Sequence, residues 1–312
     1  MKDKNKVGLV NKVSADIAGR LTPKTIEFLD KSDEERTLYI KKERFIVYSG
    51  AQKILNKLED LLIEPRKSRM PCLLIVGDSN NGKTSVVKKF LKMHMPTDGI
   101  ETDAVPVIIV QAPPRPDIGM FYDSILDELL IPFKKSDSLS RKDIEITYYF
   151  SKFGTKMLIV DEIHNILSGS VARQKEFMNA LKNLNNKLLM PIVLVGIKEA
   201  LNATNTDFQI SSRFKPMYLK RWNFNNEYKA LLKSIEKILP LKKESAIAEN
   251  DKLAEYILEM SEGLLGEIIE IIGLSAICAI LNRKEKITMD EIKNTGYVQP
   301  SLRRSIDDLE AV

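Results

Sequence analysis

The residues Gly77-Asp78-Ser79-Asn80-Asn81-Gly82-Lys83-Thr84 have the spacing G-x-x-x-x-G-K-T, which sets glycines, an ammonium and a hydroxyl where a turn of chain can wrap phosphate groups. Gly77 ends the apolar run Cys72-Leu73-Leu74-Ile75-Val76, and Ser85 begins the helix-like stretch Ser85-Val86-Val87-Lys88-Lys89-Phe90-Leu91. A strand, a loop and a helix in that order turn successive backbone N–H groups and the helix N-terminus toward an anion. Gly82 lets the backbone close on the phosphates without a Cβ in the way. Lys83 is expected to reach the β- and γ-phosphates, and Thr84 to hold Mg²⁺. A second apolar run, Met157-Leu158-Ile159-Val160, delivers Asp161-Glu162 at its carboxyl end. Asp161 is placed to hold Mg²⁺ directly or through water, and Glu162 to polarise a water in line with the γ-phosphate. The expected cofactors are ATP and Mg²⁺, and the expected reaction is ATP hydrolysis. Phosphate transfer to a small acceptor would need a dedicated acceptor site, and the sequence carries no sign of one.

Two further residues carry chemistry with open roles. His164 follows the acidic pair, while His94, the other histidine, is remote in sequence; a structural or sensing role fits His164 better than a metal ligand, because single-histidine sites rarely suffice. Arg213, in Ser211-Ser212-Arg213-Phe214, is either a finger that stabilises charge on a neighbouring subunit's nucleotide or a solvated surface charge.

Elements must hold these groups in one place. Besides the two apolar runs, Val105–Val110 and Ile192–Gly196 read as buried strands, and Gly50–Leu62, Phe121–Leu130 and Arg173–Leu189 as helices. Ile144–Phe153 reads as either helix or strand. Buried strands alternating with helices mean a doubly wound parallel sheet, which binds ligands beyond the carboxyl ends of its strands, so the phosphate loop and Asp161-Glu162 should meet in one crevice. Past Trp222 only helices are expected, over Glu227–Leu239, Lys252–Met260, Leu265–Leu281 and Met289–Lys293. The expected organisation is an arm at 1–45, a nucleotide-binding α/β domain at 46–222, a helical lid at 223–293 and a tail at 294–312.

The chain has 312 residues and a formal charge of +5, a balance that permits nucleic-acid binding without requiring it. Lys134, Lys135 and Arg141, in a basic, polar stretch between Pro132 and Lys142, are candidate contacts to DNA phosphates. Only Cys72 and Cys278 occur, both in apolar surroundings, which suits a reduced interior. Met1-Lys2-Asp3-Lys4-Asn5-Lys6 leads into no apolar stretch, and Ile268–Leu281 is too short to span a bilayer. A cytoplasmic protein with no membrane partner is expected.

Taken together, the phosphate loop, Asp161-Glu162, Arg213 and the helical lid resemble an AAA+ ATPase, and the finer text resembles the TniB/TnsC family of transposition ATPases. The strings that carry the likeness are Arg69-Met70-Pro71, Val76 through Thr84, Gln111-Ala112-Pro113-Pro114, Asp161-Glu162-Ile163-His164-Asn165, Ser211-Ser212-Arg213-Phe214 and Leu239-Pro240-Leu241. The likeness spans Phe45 to Leu281. It implies an α/β fold with a P-loop AAA+ core, a parallel sheet flanked by helices and a small all-helical lid. It also implies an ATP-dependent regulator of transposition that assembles on double-stranded DNA as a homo-oligomer, ring or helical filament, and links a target-selection protein of the TniQ type to a DDE transposase. By the same likeness Gly77 to Ser85 hold the nucleotide, Asp161 and Glu162 form the Walker B pair, Arg213 acts across subunits, and Ile46 and Tyr48 lie on the adenine side. Two positions depart from the pattern: Ile197 stands where many relatives have a small polar sensor of the γ-phosphate, and Glu267 where many AAA+ proteins carry a basic second sensor. Slow hydrolysis that times assembly is the expected consequence. An AAA+ loader of DNA in replication, or a nucleotide-gated signalling scaffold that touches no nucleic acid, are the alternatives.

Overall fold

The computed structural model describes residues 19–95, 104–204 and 208–304. Residues 1–18 of the expected arm, 305–312 of the expected tail and most of the break at Pro96–Ala104 lie outside them. The chain divides into two compact units: the residues up to Tyr48 together with those from Arg221 onward, and Ser49–Lys220. The first unit opens with α1 (Pro23–Ile26) and α2 (Asp33–Lys41).

The second unit runs through α3 (Ser49–Leu62), β1 (Cys72–Gly77), α4 (Lys83–Met93), β2 (Val107–Gln111), α5 (Ile118–Glu128), α6 (Leu139–Lys152), β3 (Met157–Asp161), α7 (Val171–Leu188), β4 (Ile192–Gly196), α8 (Ala200–Thr204), α9 (Phe208–Ser211) and β5 (Phe214–Leu219). Its five strands are all parallel, in the order β2-β3-β4-β1-β5. Every residue of β1, β3 and β4 is buried, as happens when helices cover both faces of a parallel sheet. That is why these strands read as unbroken apolar runs. Phe121, Phe150 and Phe177, from α5, α6 and α7, pack on the sheet in one core. The stretch Ile144–Phe153, open between helix and strand in the sequence, is helix: Ser138 caps α6 by accepting from the Arg141 N–H at 3.3 Å.

The fifth strand was not foreseen. β5 is an edge strand that buries only its two ends, so its Lys215, Pro216 and Tyr218 give no apolar run. Pro216 is tolerated because the edge of a sheet does not need its missing N–H.

The first unit resumes with α10 (Asn226–Glu236), α11 (Asp251–Met260), α12 (Leu265–Leu281) and α13 (Met289–Lys293), close to the helices expected. Tyr228, Ile257, Ile268, Ile272 and Ile280 lie in its core. Residues set apart in the sequence as an arm enter this unit. Ser32 and Glu35 form a capping box at the start of α2, and Arg36, 1% exposed, bonds to the Pro240 carbonyl at 2.6 Å and to Glu285 at 2.5 Å. A guanidinium buried this deeply is stable only with such partners, so α2 is fastened to the helical unit. The sequence hid this because α2 buries only Arg36 and Tyr39 and therefore lacks an apolar stripe.

Candidate nucleotide site

The strand register brings Gly77, Gln111, Asp161 and Gly196 to the same edge of the sheet. Gly77 is required there: a Cβ on it would lie 2.9 Å from the Leu219 carbonyl. The loop that follows passes through left-handed backbone at Asn80 (φ 56°) and Gly82 (φ 82°), the second of which caps α4 without a side-chain bond. Asn81 is buried, and its Nδ2 donates to the carbonyls of Leu219 at 2.9 Å and Lys220 at 3.1 Å. The loop is thereby braced on the end of β5, an interaction that could not be foreseen while β5 itself was missing.

Lys83 lies at the start of α4, 5% exposed, with Nζ donating to the Asp78 carbonyl at 2.8 Å. Burial lowers its pKa, against the opposing pull of Glu162, Asp161 and Asp78. Thr84 Oγ1 donates to Asp161 Oδ2 at 2.7 Å, and the other Asp161 oxygen accepts from the Glu162 N–H at 2.8 Å. Glu162 stands in left-handed backbone (φ 55°) and pairs with His164 Nε2 at 3.1 Å. Ser79 through Ser85, Glu162, His164 and Ile197 line one cavity of about 300 Å³. Lys198, next to Ile197, reaches Asp78 Oδ1 at 3.3 Å.

A buried ammonium, a loop that twice takes left-handed backbone at a helix N-terminus, and a hydroxyl beside a carboxylate suit a polyphosphate with a hard cation. Thr84 and Asp161 are the hard oxygen donors; among the described residues no cluster of three or more His, Cys, Asp or Glu could hold a metal alone.

Other expected residues lie elsewhere. Arg213 immediately precedes β5, and its carbonyl accepts from the N–H of Cys72, the residue that pairs with Phe214, at 3.3 Å. It therefore sits at the amino end of the sheet, about 16 Å along β1 from the phosphate loop at the usual strand rise. Its Nη1 bonds to Asn185 and Asn186 at 2.7 Å each, and its Nε is buried with no partner among the described residues. Lys134 and Lys135 are exposed. Arg141, expected in a loop, instead lies in the first turn of α6 and is paired with Asp137 at 3.4 Å and Glu145 at 3.1 Å, so much of its charge is already answered. Ile46 and Tyr48 belong to the helical unit, where Ile46 is buried and Tyr48 meets Trp222 edge-on at 5.2 Å. Burial pushes the Tyr48 hydroxyl up to about 12. Glu267, in the first turn of α12, is buried and accepts from Arg303 Nη2 at 2.8 Å and from the Tyr297 hydroxyl. No helix among the described residues is long and apolar enough to cross a membrane.

Residues 36–224 match the family described as bacterial TniB protein. No curated protein matches the chain. Among solved structures, the Aeropyrum pernix ORC2 protein, in ADPNP-ADP complexes, superposes with a TM-score of 0.60 at 13% identity, over 88% of this chain and 74% of that one. The Aeropyrum pernix ORC1 protein in complex with DNA gives 0.59 at 11%, over 83% and 68%. Cdc6p from Pyrobaculum aerophilum gives 0.59 at 14%, over 83% and 70%. At such identities the likeness is one of fold alone: a parallel sheet flanked by helices with a phosphate loop after its first strand.

Proposed function

The chain belongs to the bacterial TniB family, and from that premise we propose that it is an ATP-dependent AAA+ regulator of transposition. It assembles as a homo-oligomer on double-stranded target DNA and links a TniQ-type target-selection protein to a DDE transposase. The observation that carries the nucleotide part of this reading is the closure of Thr84 on Asp161 at 2.7 Å beside a buried Lys83. The DNA part draws support from family membership, from the exposed Lys134 and Lys135, and from a fold like that of a protein solved in complex with DNA.

Bound ATP with Mg²⁺ supplies the β–γ phosphoanhydride bond, which water cleaves to ADP and phosphate. The chain's own groups do the rest. Backbone N–H groups of Asp78 to Thr84 and the α4 N-terminus would hold the phosphates, with Lys83 Nζ as their main side-chain partner. Thr84 and Asp161 would hold the cation, and Glu162 would orient and polarise the attacking water. In this reading Arg213, about 16 Å along β1 from its own loop, serves a neighbouring subunit's nucleotide. With Ile197 in the wall and Glu267 tied to Arg303, two positions that aid hydrolysis in other AAA+ proteins give no help here, and turnover is slow.

Phosphate release with and without duplex DNA tests this reading. Slow ATPase stimulated by duplex and abolished in Lys83→Ala is the expected result; no release under any condition contradicts it. The fold shared with ORC and Cdc6 proteins favours, as a second reading, an AAA+ loader of DNA in replication. Stimulation by a TniQ-type protein and a transposase separates the two.

A further inference from the structure

Glu162 is the residue on which hydrolysis turns, yet its own backbone does little to fix its carboxylate. It stands at φ 55° and ψ 36°, a region costly for a residue with a Cβ, and its side chain is 35% exposed. His164 Nε2 stands 3.1 Å from its Oε2. An ionised carboxylate only accepts, so this contact is attractive when Nε2 carries a proton. Nδ1 is buried with no partner among the described residues, on the side of the ring toward Gly196, where a Cβ would lie 3.5 Å from it. The same Cβ would come within 2.8 Å of Ala200 and 3.0 Å of Ile163. The ring is thus wedged between the end of β4 and Glu162, on the short 3₁₀ turn Ile163–Ser168. Burying one ring nitrogen without a partner while setting the other beside a carboxylate of the phosphate cavity suits a histidine kept for orientation.

We propose that His164 is the positioning residue of hydrolysis: its Nε2–H holds one oxygen of Glu162 against the cavity wall and leaves the second oxygen to accept from the attacking water. This rests on Glu162 being the general base of the proposed ATPase. Ile197, the apolar neighbour in the same wall, offers no hydrogen bond to take over the task.

The test is steady-state ATPase of the full chain on duplex DNA, with nucleotide affinity measured separately by titration of a fluorescent ATP analogue. His164→Gln keeps an amide N–H near the Nε2 position, whereas His164→Asn places its polar atoms near Nδ1 and cannot reach Glu162. The expected result is a kcat about 10-fold or more lower in His164→Asn and His164→Ala, with KM and nucleotide affinity unchanged, and at least half the parental kcat in His164→Gln. In a Glu162→Gln background His164→Asn should have no further effect. If Ala and Asn retain parental kcat, or if Gln falls as far as they do, His164 does not position Glu162. Should His164→Ala unfold, seen by its melting curve, the Asn and Gln pair still decides. Parental ATPase in Glu162→Gln alone would instead remove the general base, and with it the reading on which this proposal stands.

Discussion

Thr84 Oγ1, in α4 after the loop that follows β1, lies 2.7 Å from Asp161 Oδ2 at the end of β3, although β4 lies between β1 and β3 in the sheet. Two oxygen donors from separate segments of chain are brought together only because all the strands point the same way and end at one edge. A hydroxyl and a carboxylate that already touch need little movement to admit a cation between them.

Lys83 is held as a buried ammonium at some cost to the fold. Its folded pKa is lowered by burial, so near the lysine range the unfolded chain binds more protons than the folded one, and stability from this residue rises with pH. Lys83→Met should raise the melting temperature without nucleotide, flatten that alkaline dependence and abolish ATP binding. Thermal melts from neutral to alkaline pH, with an ATP titration beside them, check both effects. A variant that binds ATP like the parent contradicts the placement of the loop.

Glu162→Gln keeps Lys83, Thr84 and Asp161, so ATP binding should persist while turnover falls by about 10²–10⁴. Assemblies on DNA should then outlast those of the parent after dilution in ATP. Equal rates of disassembly would disconnect release from hydrolysis.

Arg213 should be silent in an isolated subunit. Arg213→Ala is expected to leave ATP affinity intact and lower ATPase only in the DNA-bound assembly. Mixing Arg213→Ala with Lys83→Ala subunits should restore some activity, because one supplies an intact loop and the other an intact arginine. Mixed assemblies no more active than either variant alone would return Arg213 to the fold, where Asn185 and Asn186 already hold it.

Arg36 binds α2 to the helical unit from a position 1% exposed. Replacing it with Ala strands the Glu285 carboxylate and should cost roughly 3–5 kcal/mol, measured by denaturant unfolding. A change under about 1 kcal/mol would mean that α2 adds little to this unit.

Much of the sheet was legible because β1, β3 and β4 are buried on both faces, and burial of that kind demands unbroken apolar runs. The phosphate loop and Asp161-Glu162 were legible because their chemistry needs fixed residue types at fixed spacing. β5 was not, since an edge strand with Lys215, Pro216 and Tyr218 turned to solvent obeys no such demand. Arg141 was misplaced because the cap at Ser138 begins α6 inside a stretch that reads as loop. The approach of His164 to Glu162 depends on a 3₁₀ turn and a left-handed residue, neither of which has a sequence signature strong enough to read.

The central claim is that nucleotide controls assembly on duplex DNA, and retention of a random-sequence duplex on filters, with and without ATP across a salt series, tests it most directly. Retention should require ATP, vanish in Lys83→Ala, tolerate any sequence and weaken with salt. Lys134→Ala and Lys135→Ala should each lower the salt slope by about 0.9, the value for one DNA phosphate no longer neutralised, and Arg141→Ala by less, because Asp137 and Glu145 already pair with it. Retention that is equal with and without ATP, or absent under every condition, would contradict the claim.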